Sequence, residues 1–417
     1  MTSQPRGLLR RHADFRRLWL ADALSAVGTR IGMLALPMLA LLHLDATAFE
    51  VALLHTLETL GSLLLGLLAG AWIDRMRCRP VMIGTDIARF ALVASIPAAA
   101  FLGVLTMTQL YVVAFVTGIA TVFFTVAATT YLPRLVADGD LVSANAKLAT
   151  NTSVAAVLAN GAGGLLIQAL TAPVALAIDA AGYLWSAVWL RRIRHREQPP
   201  TVERRHLGRD VVEGLRFVAS QPVLRALAGY SACTMLFQSM HAAVTVVFLV
   251  EWIGLGPAAV GLVGMSGLLG ALVAGPLTHR LAARFGGARV LCAAAACYAV
   301  GFAMTPLTRP GWETAWWITG NLLLCAAIVT NHILSVTTRQ LMCPPGLHGR
   351  VGATMNFMIW GVMPIGSLLG GVVATLTDVR VTLWIVAAGV TVSALWIVAS
   401  PLRTLRALPA TRQVTAA

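Results

Sequence analysis

The stretch Gly66-Leu-Leu-Ala-Gly70-Ala-Trp-Ile-Asp74-Arg75-Met-Arg77-Cys-Arg79-Pro80 decides how the rest of the chain is read. An apolar run with two glycines four apart ends abruptly in an acid, three arginines and a proline. A membrane-spanning helix meets the cytoplasm in this way. Small residues let a neighbouring helix come close, and the arginines fix which side is inside.

The surrounding composition agrees with that reading. The chain has 417 residues, is 58% hydrophobic and only 12% charged, whereas soluble domains carry about 25% charged residues. A bilayer span needs roughly 20 apolar residues. Twelve segments qualify, near 15–42, 49–73, 80–103, 107–131, 149–171, 173–193, 223–250, 257–279, 288–308, 314–338, 352–377 and 381–402. The expected fold class is an all-α membrane protein with about twelve transmembrane helices.

The net charge is +14, from 31 basic and 17 acidic residues. When the spans are threaded alternately across a bilayer, only Arg309 and Arg380 fall on the outer side, and Arg30 and Arg89 lie within spans. Every other Lys and Arg falls on one side. This satisfies the positive-inside rule with both termini cytoplasmic, and it argues against nucleic acid as the reason for the basic charge. The first apolar stretch is long and follows Arg6, Arg10, Arg11, Arg16 and Arg17, so it reads as a retained helix rather than a cleaved signal. The six cysteines show neither metal-ligand spacing nor a disulfide framework. No G-x-x-x-x-G-K-[ST] loop or H-E-x-x-H pair is present, so neither an ATPase nor a metal site is expected, and no cofactor is implied. The lone Lys147 among many arginines hints at a G+C-rich bacterial genome.

The polar segment 194–222 divides the apolar chain into a first bundle, 1–193, and a second, 223–417. Within it, Val211–Val218 has an apolar face at helical spacing and can lie along the inner membrane surface. The halves echo each other at a constant offset: Gly70 with Gly275, Arg75 with Arg280, Asn145 with Arg350, and Asn151 with Asn356. His279 stands in the second copy where Asp74 stands in the first. Such repeats suit two six-helix bundles related by an axis along the membrane normal.

Gly66, Gly70, Asp74, Arg75 and Arg79 resemble the loop signature G-x-L-a-G-x-x-x-D-R-x-x-R-R of the major facilitator superfamily, between its second and third helices. Further patterns resemble one branch, the third drug/proton antiporter family of macrolide-type efflux pumps and siderophore exporters. They are Phe15-Arg-Arg-Leu-Trp19 with Gly28 and Ala35-Leu-Pro37; Thr85-Asp86-Ile-Ala-Arg89; Leu132-Pro-Arg-Leu135 with Ala144-Asn145; Glu213-Gly-Leu-Arg-Phe217; and Gly349-Arg350-Val351 with Pro364-Ile-Gly366 and Gly370-Gly371. One departure stands out: Ala159-Asn160 precedes Gly163-Gly164 where antiporters of the family carry Gly-Pro. The resemblance implies the major facilitator fold, working as a monomer in a bacterial inner membrane. It also implies a drug-like hydrophobic or amphipathic substrate exported by alternating access against inward proton flow.

Charged groups inside spans carry the functional signal, since each costs about 2.5–3.5 kcal/mol at mid-membrane on insertion scales. Glu58 sits about 14 Å below the outer end of the second span and is the first candidate for a proton-carrying group. His55 lies three residues away on the same face. The alternative is a fixed ion pair with Arg30, at comparable depth on the first span. Arg30 can instead hold an anionic substrate or act on a neighbouring acid. Asp22 lies about 80° from Arg30 around the helix and either lines the same cavity or is a helix-entry charge. Asp86 and Arg89, three apart near the inner end of the third span, can pair. With Gly66, Gly70, Asp74, Arg75 and Arg79 they form a candidate conformational latch; the bland alternative is positive-inside anchoring. Asp74 can also cap a neighbouring helix N-terminus.

Asp179, His241, Asn331, His332 and Asn356 are weaker candidates, since a lone buried polar side chain more often bonds backbone than ligand. Asn331 and Asn356 join Phe357 and Trp360 as a candidate substrate-cavity wall. Trp252, Trp312, Trp316 and Trp317 are read as interfacial anchors. Gly161, Gly163, Gly164, Gly370 and Gly371 are expected at close helix contacts. Rival functions are export of an endogenous metabolite such as a siderophore or self-made antibiotic, a non-transporting membrane sensor, and a polytopic membrane enzyme.

Overall fold

The computed structural model describes residues 8–73, 75–137, 140–195, 197, 207–343 and 348–400. After a single turn, α1 (Leu8–Arg11), come α2 (Ala13–Leu44), α3 (Ala48–Ile73), α4 (Cys78–Phe101), α5 (Met107–Leu135), α6 (Leu141–Leu158), α7 (Gly164–Leu170) and α8 (Ala172–Arg191). Then follow α9 (Leu207–Ser220), α10 (Pro222–Val247), α11 (Pro257–Phe285), α12 (Gly287–Met304), α13 (Thr314–Met342), α14 (His348–Trp360), α15 (Met363–Leu376) and α16 (Val379–Ala399). Eleven helices among the described residues are long and apolar enough to cross a membrane. Helices suit that solvent because their backbone groups are paired within the segment, and hydrocarbon offers no water to pair with them.

The expected span 149–171 is the exception. It is not one continuous α-helix: α6 and α7 are separated by a π-helical turn over Ala159–Gly163. This is the place where Ala159-Asn160 replaces the family's Gly-Pro. α6 also carries Ser143, Asn145, Lys147, Asn151, Thr152 and Ser153, which dilute its hydropathy. In the eleventh span, α14 and α15 are divided at Gly361-Val362, and Pro364 falls in the first turn of α15, where its missing N–H costs no helix hydrogen bond.

The chain divides into two compact units. The first comprises 1–47, 57–204 and 256–261; the second comprises 48–56, 205–255 and 262–417. In the first unit α8 packs along both α2 and α4, α4 packs on α5, and α2 packs on α6. Its apolar core gathers Phe15, Leu18, Ile73, Met82, Tyr131 and Leu190. In the second unit α10 packs against α15 and α16, and α12 against α13 and α16. The expected amphipathic helix is present as α9, which packs on α14 and α10 and buries Val218 in the second core.

Glycines set the closest crossings. A Cβ on Gly118 of α5 would fall on the Glu58 carbonyl of α3, and one on Gly61 would lie 2.9 Å from the Ile119 nitrogen. Gly164 and Gly370 meet backbone atoms of Pro257 and Met240, and Gly371 meets the Cβ of Ala52 at 2.6 Å, as expected of close-contact glycines. Gly66 and Gly70 correct the opening expectation. Among the described residues, a Cβ at either would meet nothing within 4 Å, so within the first unit these two glycines do not mark a close helix contact.

Candidate functional site

Among the described residues, the buried charged side chains are Asp86, Arg89 and Asp179, with exposures of 0%, 3% and 5%. All three belong to the first unit. Asp86 and Arg89 are ion-paired across one turn of α4, a spacing that puts both on one helix face. Asp86 lies about 12 Å along α4 from Cys78 and is fully buried. The pair therefore sits inside the unit rather than at its inner rim.

The Arg89 guanidinium lies between two rings, with its central carbon 4.3 Å from the Phe124 centroid on α5 and 4.5 Å from the Tyr183 centroid on α8. Cation–π contact of this kind strengthens as water is excluded. Tyr183 also hydrogen-bonds the Asp179 carboxylate one turn away on α8, and Thr29 of α2 donates to the Tyr183 hydroxyl at 3.1 Å. The α2–α8 crossing is tight because α2 presents glycines to it. A Cβ on Gly28 would stand 3.0 Å from the Asp179 Cα, and one on Gly32 would fall on the Asp179 carboxylate itself. Gly182 of α8 returns the contact against the Leu24 carbonyl at 3.3 Å.

Among the described residues, three polar atoms of this cluster have no hydrogen-bond partner: Oδ2 of Asp86, Nε of Arg89 and Oδ1 of Asp179. Buried polar groups are nearly always paired, so a site with three orphans is unusual. With all groups ionised, two carboxylates face one guanidinium, leaving one uncompensated negative charge. Glu58, half-buried on α3, is within electrostatic reach of both Asp179 and Tyr183.

The other expected residues are distributed as follows. Arg30 is exposed on α2, and His55 is half-buried on α3. Asp22 is held by α6: Asn151 donates one N–H to its Oδ2 at 2.9 Å and another to the Trp19 carbonyl at 3.1 Å. Of the seven latch candidates, Asp86 and Arg89 are the ion pair described above. Asp74 lies outside the described residues, Arg75 is exposed and Gly66 and Gly70 face open space. Arg79 donates to the carbonyls of Leu190 at 2.9 Å and Arg191 at 2.6 Å.

The acid that caps the N-terminus of α4 is Glu197, whose carboxylate accepts from the backbone nitrogens of Cys78 and Arg79 at 3.0 and 3.1 Å. Asp14 does similar work nearby, accepting from the backbone nitrogens of Arg194 and His195. Sequence reasoning missed both, because the segment after α8 returns to two helix ends far away along the chain.

The second unit buries neutral polar pairs instead. Tyr230 donates to Asn331 at 3.1 Å, Tyr298 donates to Gln238 at 2.9 Å, and Ser239 meets Ser367 at 2.6 Å. Trp317 is corrected from anchor to core: it is buried and stacked on His241, with centroids 5.6 Å apart. Trp252, Trp312 and Trp316 are exposed. Asn356, His332 and Trp360 are exposed and Phe357 is half-buried. A cleft of about 650 Å³ in this unit is lined by Gly275, Thr278, His279, Ile333 and Thr337, among others. None of Asn331, Asn356, Phe357 and Trp360 lines it.

Long apolar helices with charged groups sealed among them define a polytopic membrane protein. The chain belongs to the Major Facilitator Superfamily, whose family model matches residues 18–367. It is 27% identical over 385 residues to the multidrug efflux pump Tap of Mycolicibacterium fortuitum, covering 88% of this chain and 90% of that one. It is 29% identical over 372 residues to the uncharacterized MFS-type transporter y4rN of Sinorhizobium fredii, covering 86% and 88%. Among solved structures, the nucleoside transporter NupG superposes with a TM-score of 0.74 at 12% identity over 93% of this chain and 98% of that one. A bacterial homologue of the iron transporter ferroportin gives 0.72 at 16% identity over 94% and 99%. These two share the fold. The protein is thus a multi-pass membrane transporter of small molecules rather than an enzyme.

Proposed function

We propose that this transporter exports a hydrophobic or amphipathic, drug-like molecule by alternating access, driven by protons moving inward. The observation that carries the coupling half is the confinement of buried charge to the first unit, at Asp86, Arg89 and Asp179. Intramembrane ionisable groups are expensive and mark ion or substrate pathways. Glu58, half-buried beside that cluster, is the group through which protons enter and leave it. The export half is supported by the similarity to a multidrug efflux pump along most of both chains. In this reading the protein works as a monomer in a bacterial inner membrane with both termini cytoplasmic. The conformational latch of this reading comprises Gly66, Gly70, Asp74, Arg75, Arg79, Asp86 and Arg89.

The test is drug tolerance in a pump-deleted bacterial host, across a broad panel of antibiotics and dyes. Wild type is compared with Glu58→Gln and Asp74→Asn at matched expression. Raised tolerance in the wild type, lost in both variants, is the expected result. No change for any compound would replace drug export with a dedicated metabolite exporter.

A further inference from the structure

We infer that Asp179 is a second proton-binding group of this transporter, a buried store that exchanges with water through Glu58. The inference rests on the proton-coupled reading above. The loaded state is Asp179 neutral, its proton on one carboxyl oxygen, beside the Asp86–Arg89 pair; the cluster then carries no net charge. Unloading moves that proton to the Glu58 carboxylate and from there to water, leaving one negative charge shared by two carboxylates around one guanidinium. One proton leaves one oxygen and joins another, and nothing else is exchanged.

Four observations place the proton there. Asp179 is buried, and its Oδ1 has no partner among the described residues, as a site that sometimes holds a proton requires. The second carboxylate on Arg89 means that the cluster is not neutral when fully ionised, and an uncompensated charge in a low-dielectric interior is strongly disfavoured. The guanidinium is ion-paired to Asp86 and held over Phe124 and Tyr183, so its single positive charge is committed to the first carboxylate and leaves the second uncompensated. Finally, α2 meets Asp179 with Gly28 and Gly32, which carry no charge, and the charges acting on Asp179 are those of Arg89 on α4 and Glu58 on α3. The titratable and charged groups facing Asp179 are Arg89 with its partner Asp86 on α4, Glu58 on α3 and Tyr183 on α8.

The test uses wild-type protein in detergent and a hydrophobic carbodiimide, which reacts with protonated, buried carboxyls, followed by peptide mass spectrometry across roughly pH 5–9. The expected result is an adduct at Asp179 that falls by about tenfold per pH unit above its titration point. No adduct at Asp179 at any pH would overturn the inference, as would an adduct constant across the range, which marks a permanently protonated structural acid. In the drug-tolerance assay, an Asp179→Asn variant that matches the wild type would also overturn it while leaving export intact. A titrating Asp179 in a protein that confers no tolerance would instead remove drug export and leave the proton site standing.

Discussion

Asp179 of α8 lies so close to Gly32 of α2 that a single methyl group on the glycine would occupy the space of the carboxylate. The acid and the glycine therefore act together, since a side chain opposite the acid would force the carboxylate to move. Close small-residue contacts of this kind hold membrane helices together without a hydrophobic driving force.

Gly32→Ala should accordingly lower stability by about 1–3 kcal/mol, the usual cost of overpacking. Thermal unfolding in detergent reads it directly. Gly66→Ala, which meets open space, should stay within about 0.5 kcal/mol of wild type. Equal effects at the two sites would show that the α2–α8 crossing is not tight.

Arg89→Gln strips the cation from Asp86 and should cost about 3–5 kcal/mol, the range for breaking a buried pair from one side. Adding Asp86→Asn should recover part of that loss, because the stranded charge goes with it. A double-mutant cycle with no coupling between the two positions would dismiss the pair as a unit. Arg89→Lys should not rescue, since a compact ammonium cannot lie flat between Phe124 and Tyr183.

Glu197→Gln should loosen the start of α4 by roughly 0.5–2 kcal/mol, the scale of a lost helix cap. Hydrogen exchange at the amides of Cys78 and Arg79 would report it, faster in the variant and unchanged at the start of α5, which Thr106 caps independently. Unaltered exchange at residues 78 and 79 would mean that the carboxylate does not serve those amides in solution.

Glu58→Gln should abolish proton-driven export while sparing ligand binding. Export by the variant that still follows an imposed pH gradient would remove Glu58 from the coupling path.

Much of the fold was legible in sequence because lipid imposes a simple code of apolar length plus arginine placement. The signature from Gly66 to Arg79, the repeat in the second half and the amphipathic linker helix all stand on that code. What it hid was depth and partnership. The pairing of Asp86 with Arg89 was legible from their spacing, but not their complete burial, because hydropathy locates a span but not the face to which a side chain turns. Asp179 looked like an isolated acid because, apart from Tyr183 one turn away, the residues around it come from α2, α3 and α4, more than eighty residues away in the sequence. The one local hint was the Gly28–Gly32 pair, spaced to admit something from another helix. Gly66 and Gly70 mislead in the opposite direction, carrying the spacing of a contact motif but facing open space.

The π-helical turn at Ala159–Gly163 has a consequence for how this chain can be numbered against its relatives. A π turn holds one residue more than an α turn and is the form a single-residue insertion takes inside a helix. Removing that residue would leave α6 undisturbed but rotate everything from Gly164 to Leu170 by about 100°, carrying Gly164 off the Pro257 carbonyl. Residue-by-residue correspondence with a relative whose fifth helix is regular therefore holds on one side of the turn and slips by one position on the other.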